Sequence, residues 1–93
     1  MPVQVTNNTK QKCFESTLDG ETAVLTYEIK GNRITLTHTR VPKAIENRGV
    51  GTNLVEAALS FAREHHLQVI PECPFVAKYI AEHSEHQSLL AKK

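Results

Sequence analysis

Through the first half of the chain, apolar residues recur at every second position. Between Glu21 and Lys30, Ala23, Leu25, Tyr27 and Ile29 alternate with mostly polar neighbours. A side-chain period of two is that of a strand with one face buried. Arg33 to Val41 repeats the pattern, with Ile34, Leu36 and His38 on one face and Thr35, Thr37, Thr39 and Val41 on the other. Its β-branched content suits a pleated strand. Cys13 to Leu18 reads as a shorter strand. Asp19-Gly20 and Gly31-Asn32 separate these runs. Both are hairpin signals, because Gly, Asn and Asp tolerate the positive φ of tight turns. The three strands are therefore expected to form an antiparallel meander. Met1 to Lys10, rich in Asn, Thr and Gln, reads as an edge segment or one that orders late.

The period changes after Pro42, which cannot donate a ladder hydrogen bond. Val50, Leu54, Ala57, Ala58, Phe61 and Ala62 recur at helical spacing, with Glu56, Arg63 and Glu64 mostly off that face. His65-His66 closes the helix, where positive charge complements the dipole. Leu67 to Ile70 is a short apolar strand. Cys73-Pro74 opens a second helix, with proline at its favoured first position, and Phe75, Val76, Tyr79 and Ile80 form its apolar face. A last helical piece is expected from about Ser84 to Ala91. The order β-β-β-α-β-α gives an α+β fold. Its strand-helix-strand unit calls for a right-handed crossover and a parallel pairing.

The chain has 93 residues, enough for one domain. Its formal net charge is +1, with acids and bases interleaved, which argues against nucleic acid or a membrane surface as partner. No apolar run is long enough to span a bilayer. The polar N-terminal dozen residues lack the apolar stretch of a signal peptide. Two cysteines, Cys13 and Cys73, make no disulfide framework. A reduced, cytoplasmic monomer is the expectation. His83 and His86 are three residues apart and His65-His66 adjacent, but none joins a cysteine or carboxylate at a zinc spacing. No metal site is expected, and these histidines read as solvated polar-face residues. Lys92-Lys93 reads as a solubilising end that complements the last helix dipole.

The richest chemistry lies between the meander and the first helix. Val41-Pro42 ends a strand, Gly49-Val50-Gly51 forms a loop, and an apolar helix follows. First-turn N–H groups have no intrahelical partner, and the dipole places partial positive charge there. Glycine lets an anion approach the backbone closely. Arg48 adds a full charge beside this cradle. A phosphate-bearing ligand fits such a site.

Three segments, His38-Thr39-x-Val41-Pro42, Arg48-Gly49-x-Gly51 and Cys73-Pro74-Phe75, stand in this order across most of the chain. Together they resemble the GNAT superfamily of N-acetyltransferases, in its very small single-domain branch. The resemblance implies a GNAT-like fold with a splayed parallel strand pair, and acetyl-coenzyme A as acyl donor. Family members hold the diphosphate in an Arg/Gln-x-x-Gly-x-Gly/Ala turn. Gly49 and Gly51 match its glycines, whereas Glu46 occupies its first position. Arg48 is the cation available to replace the missing one, with Val50 and Thr52 beside the glycines. The resemblance places the pantetheine arm along Thr39, Arg40 and Val41. The thioester then points towards Cys73 and Pro74, with the Val41 N–H polarising its carbonyl.

Three side chains are candidates for chemistry. Cys73, near a helix N-terminus that lowers a thiol pKa, is either a nucleophile or a small residue packed beside the thioester. His38 either handles a proton or is a hydrogen-bonded core histidine. Tyr79 either protonates the leaving thiolate, as a tyrosine does in larger family members, or belongs to a core stripe. The expected reaction is acetyl transfer to an amine, on a protein lysine or a small molecule. Larger family members wall the acceptor site with N-terminal helices. This chain begins almost at the meander, so an open acceptor side is expected. Two other functions fit the same features: an acyl-coenzyme A sensor or adaptor with little catalysis, and an interaction module that keeps the fold without the ligand.

Overall fold

The computed structural model describes residues 4–91, so the Lys92-Lys93 end lies outside the described residues. A five-stranded sheet runs in the order β1 (Thr6–Asn8), β2 (Cys13–Leu18), β3 (Glu21–Lys30), β4 (Arg33–Arg40), β5 (Gln68–Pro71). The first four strands are antiparallel neighbours, and β5 pairs parallel to β4. Helix α1 (Val50–Glu64) connects β4 to β5, and α2 (Pro74–Glu82) follows β5. This is an α+β architecture, consistent with a GNAT-like fold. The polar N-terminal segment supplies the edge strand β1. It is tied down by the Tyr27 hydroxyl donating to Asn7 Oδ1 at 2.7 Å.

Alternation dictates which face is buried. Phe14 opposes Leu25, Ser16 opposes Ala23 and Tyr27 opposes Leu36 across the ladders, and all six are buried. Residues directly opposite one another share a face, so these side chains line one side of the sheet. Val50, Leu54, Val55, Ala58, Leu59 and Ala62 of α1, with Val76 and Ile80 of α2, complete a single apolar cluster against them. Burying each leucine, isoleucine or valine contributes about 1.5–3 kcal/mol, so Leu54→Ala should cost about 2–5 kcal/mol. Ile29, expected on the buried face, is 41% exposed.

Strand β4 departs from simple alternation. His38 opposes Thr26 and Leu36 opposes Tyr27, which leaves Thr37 as an extra residue. This bulge reverses the faces beyond it. His38 shares the outer side with Thr26 and is exposed. Thr39, opposite buried Leu25, turns inward, and Val41 packs against the core. The sequence expectation for both faces therefore fails after Leu36.

Helix α1 ends in a backbone motif. His66 is left-handed (φ 56°), the Leu67 N–H bonds the Ala62 carbonyl at 2.8 Å, and the His66 N–H bonds that of Arg63 at 3.4 Å. This is a Schellman closure with histidine in glycine's usual place. It takes up Leu67, so β5 starts one residue later than alternation suggests. The last helical piece, Ser84–Leu89, is a 3-10 helix. After it, Leu90 bridges Val69, and the Ala91 N–H bonds the Val69 carbonyl at 2.9 Å.

Candidate functional site

Strands β4 and β5 pair only over Arg33–Leu36 and Gln68–Pro71. The Cys73 N–H donates to the Leu36 carbonyl at 3.0 Å. Beyond that bond the chain turns into α2, while β4 continues to Arg40 alongside β3. The two strands part there. A cleft of about 610 Å³ lies beyond the parting. The end of β4 gives it Thr39, Arg40 and Val41, and the first turn of α1 with its N-cap gives Gly49, Val50, Gly51 and Thr52. Ile45, Glu46 and Asn47 come from the short turn between these elements, and Phe75 from α2.

Local sequence builds this shape. Pro42 ends β4, and the turn Lys43–Ile45 is anchored by buried Ile45, whose N–H bonds the Pro42 carbonyl at 3.0 Å. Asn47 (φ 66°) and Gly49 (φ 79°) are left-handed and aim the chain into α1. Gly49 is its N-cap, and no side chain caps the helix. The N–H groups of Val50, Gly51 and Thr52 thus lack intrahelical acceptors at the cleft floor, the geometry that attracts anions. A Cβ on Gly51 would stand 3.1 Å from Phe75 Cζ and 3.6 Å from Val41 Cγ2. The first distance is tight and would need the Phe75 ring to give way by a few tenths of an ångström, whereas the second is ordinary contact.

At the parting of the strands, Thr39 Oγ1 lies 3.2 Å from Cys73 Sγ. Cys73 is the N-cap of α2 and only 4% exposed. Burial pushes its thiol pKa up. The Thr39 hydroxyl and the backbone N–H groups of Val76, Phe75 and Thr39, all turned toward the sulfur, outweigh burial and hold the thiol below its ordinary value. Cys13 is the opposite case. Burial, the Glu15 charge and the Glu15 hydrogen bond all raise it.

The residues singled out from the sequence divide into three groups. Thr39, Arg40, Val41, Gly49, Val50, Gly51 and Thr52 line one cleft. Cys73 joins it through Thr39, and Pro74 follows as the first residue of α2. Arg48 is not on the cleft wall: its guanidinium reaches Asp19 Oδ2 at 3.2 Å on the β2–β3 turn. His38 is outside, on the uncovered side of the sheet. Tyr79 lies in a neighbouring hollow, stacked on His83.

Phe75 was expected in the core but is 44% exposed and forms the outer cleft wall. No local signal separates Phe75 from its fully buried neighbour Val76 in the same first turn. Among the described residues no three histidine, cysteine or acidic side chains gather as a metal-ligand set. No helix among them is long and apolar enough to cross a membrane.

Residues 13–89 match the profile of the GCN5-related N-acetyl-transferase family. The chain belongs to that family. It also resembles proteins named Protein NATD1. The Gallus gallus protein is 40% identical over 91 residues, covering 95% of this chain and 83% of the relative. The Homo sapiens protein is 37% identical over 91 residues, covering 95% and 80%. The Danio rerio protein is 32% identical over 90 residues, covering 94% and 82%. The GCN5-related family is one of acetyltransferases, and its matched region contains the cleft, the bare α1 N-terminus and Cys73.

Proposed function

We propose that the protein is an N-acetyltransferase that takes its acyl group from acetyl-coenzyme A, with Cys73 as acyl-accepting nucleophile and an amine as final acceptor. The observation that carries this reading is the Cys73 thiol, lowered by the Thr39 hydroxyl and three backbone N–H groups, where the strands part beside the cleft. The cleft suits the donor. The free N–H groups of Val50, Gly51 and Thr52 match a diphosphate. The β4 backbone over Thr39–Val41 offers polar groups to the amides of a pantetheine arm, and Val41, Ile45 and Phe75 give apolar cover. Bound there, acetyl-coenzyme A supplies an activated thioester carbonyl.

Within that frame, the Thr39 hydroxyl and the N–H groups at the α2 N-terminus ease loss of the Cys73 thiol proton. Cys73 Sγ forms a bond to the acyl carbon as the donor's C–S bond breaks, and the departing donor sulfur takes up the proton that Cys73 gave up. An unprotonated amine then forms the C–N bond, and Cys73 recovers as a thiol with the proton the amine gives up. The Val41 N–H is the donor offered to the carbonyl oxygen. His38 and Tyr79 take no step in this scheme.

A second reading, a binder without turnover, draws support from Glu46. This carboxylate lines the cleft where the family pattern has a cation or amide, and Arg48 is engaged by Asp19. Titrating acetyl-coenzyme A into labelled protein, then adding lysine peptides and polyamines, separates the two. Amide shifts at Val41 and Gly49–Thr52, with amine acetylation lost in Cys73→Ala, support the transferase. Shifts without turnover leave the binder. No shifts at millimolar ligand would overturn both.

A further inference from the structure

Glu46 is ill placed for a cleft that serves a diphosphate alone. Among the described residues, the charged ones on the cleft wall are Arg40 and Glu46. Arg40 follows inward-turned Thr39 on β4 and lies opposite Val24, so alternation sends its side chain to the uncovered face of the sheet. Arg48 is held by Asp19. The full charge that side chains offer to the cleft is therefore the Glu46 carboxylate. Among the described residues it has no ion-pair partner, and it suits a cation.

That cation must share the cleft with the acyl donor. Cys73 is 4% exposed, Thr39 Oγ1 touches its sulfur, and Thr39 lines the cleft. The sulfur is thus reached from the Thr39 side. Strand β4 stays paired with β3 as far as Arg40, and the Cys73 N–H closes on the Leu36 carbonyl. A space of about 610 Å³ is the size of a site for one small ligand. Donor and acceptor therefore occupy it in turn.

We propose that the acceptor is an aliphatic diamine or polyamine that enters this cleft after the donor thiol has left, with one ammonium on Glu46 and a second, unprotonated nitrogen at acetyl-Cys73. The proposal rests on the Cys73 transfer scheme above and names its second substrate. The nitrogen forms a bond to the acyl carbon, the bond from that carbon to Cys73 Sγ breaks, and the proton the nitrogen loses restores the Cys73 thiol. The products are the N-acetylated amine and the free enzyme. A lone lysine side chain brings no second cation to Glu46 and is the poorer acceptor. The same carboxylate repels a diphosphate, so Glu46 trades donor affinity for acceptor affinity.

The test compares 1,4-diaminobutane with butylamine, which has the same carbon chain and no second cation. Titrated without donor into the labelled full chain, the diamine should shift the amides of Thr39, Glu46 and Asn47, and acetyl-coenzyme A should displace it. In turnover, initial rates should give parallel double-reciprocal lines, with coenzyme A competing against the diamine. Glu46→Gln should lower the kcat/KM preference for the diamine over butylamine about fivefold, while acetylation of Cys73 at low donor, read by mass spectrometry, becomes faster. An unchanged preference in Glu46→Gln, intersecting lines, or simultaneous binding of diamine and acetyl-coenzyme A overturns the proposal. Failure of Cys73 to become acetylated overturns the transfer scheme instead, and diamine shifts that are lost in Glu46→Gln retain the diamine site whatever the donor does.

Discussion

The hydroxyl of Thr39 lies 3.2 Å from the sulfur of Cys73, and the contact exists because β4 holds one residue more than β3 can pair. With Thr37 left over, Thr39 comes opposite buried Leu25 instead of facing outward. The inward turn delivers both its hydroxyl and its backbone N–H to the N-terminus of α2. A bulge that re-aims one side chain beside a site is a recurring use of that irregularity.

The two thiols should therefore differ in reactivity although both are nearly inaccessible, Cys73 at 4% and Cys13 at 5% exposure. Alkylation depends on the thiolate. Iodoacetamide followed by mass spectrometry should find Cys73 modified first at neutral pH, with its pH profile lying below that of Cys13. Thr39→Val should move the Cys73 profile upward, and Thr39→Ser should return it. An acid whose folded pKa is depressed contributes stability above its unfolded value and loses it as pH falls through the folded one. Stability measured against pH should carry a Cys73 component rising between those two values, and Cys73→Ala, which retains Cys13, should lack it. Equal alkylation rates would contradict the account.

Gly49 and Gly51 are two residues apart and should fail differently when replaced by alanine. Gly49 sits at φ 79° with only Asn53 Nδ2 near a would-be Cβ, at 3.8 Å. Gly49→Ala should lower stability by about 1–2 kcal/mol through backbone strain alone. Gly51 is helical, and its Cβ would meet the exposed Phe75 ring, which is free to swing away. Helix propensity recovers about 0.8–1 kcal/mol there. Gly51→Ala should leave the melting temperature nearly unchanged and weaken acetyl-coenzyme A by crowding the cleft. Denaturation and calorimetric titration of the pair decide this.

Glu46 and Arg48 exchange the parts that their charges suggest. Glu46 lines the cleft, and Arg48 faces Asp19 across exposed surface. Glu46→Arg should tighten acetyl-coenzyme A by about tenfold, the value of one charge-assisted hydrogen bond. Arg48→Ala should change affinity by less than about twofold and stability by less than about 1 kcal/mol. A large loss of affinity in Arg48→Ala would mean that its pairing with Asp19 yields to the ligand.

Much of this was legible before the structure. The alternation in β3, the helical spacing of Val50, Leu54 and Ala58, and Pro74 after Cys73 fix elements by local periodicity and backbone chemistry, which depend on sequence alone. The glycine loop before an apolar helix marked the cleft for the same reason. What was not legible depends on pairing. The Thr37 bulge has no composition of its own, since Thr37 sits in a run of alternating threonines, and only the register against Thr26 reveals it. The fates of His38, Thr39 and Phe75 all follow from such tertiary relationships. So does Arg48: its proximity in sequence to Gly49 says nothing of the turn that places Asp19 beside it.

His38 makes that distinction measurable. With its side chain on the uncovered face, opposite Thr26 and exposed, it lies on the other side of the sheet from the Thr39–Cys73 pair. His38→Ala should change acetyl transfer by less than about twofold, whereas Thr39→Val, one residue on, should lower it about tenfold or more, the loss of one hydrogen bond to a charged group. Initial rates of the two variants under identical acceptor conditions make the comparison. A loss in His38→Ala matching that in Thr39→Val would place acceptor chemistry on the outer face.

A buried histidine ties the C-terminal segment to α1. His86 Nε2 is 3.2 Å from Glu56 Oε2, and the Arg63 guanidinium donates to His86 Nδ1 at 3.4 Å. The two partners on α1 fix the tautomer: Nε2–H donates to the carboxylate, and Nδ1 stays bare to accept. His86 is buried, and five residues later the Ala91 N–H closes on the Val69 carbonyl of β5. His86→Leu leaves Glu56 and Arg63 without this partner and should cost about 1–3 kcal/mol. Glu56→Ala removes the acceptor alone and should fall lower in that range, because Glu56 is half exposed and water replaces part of the bond. In both variants the local opening should appear first as faster hydrogen exchange at the Ala91 N–H, ahead of the core amides of β3. Unchanged exchange at Ala91 would show that Leu89 and Leu90, packed against the core, dock the segment without His86.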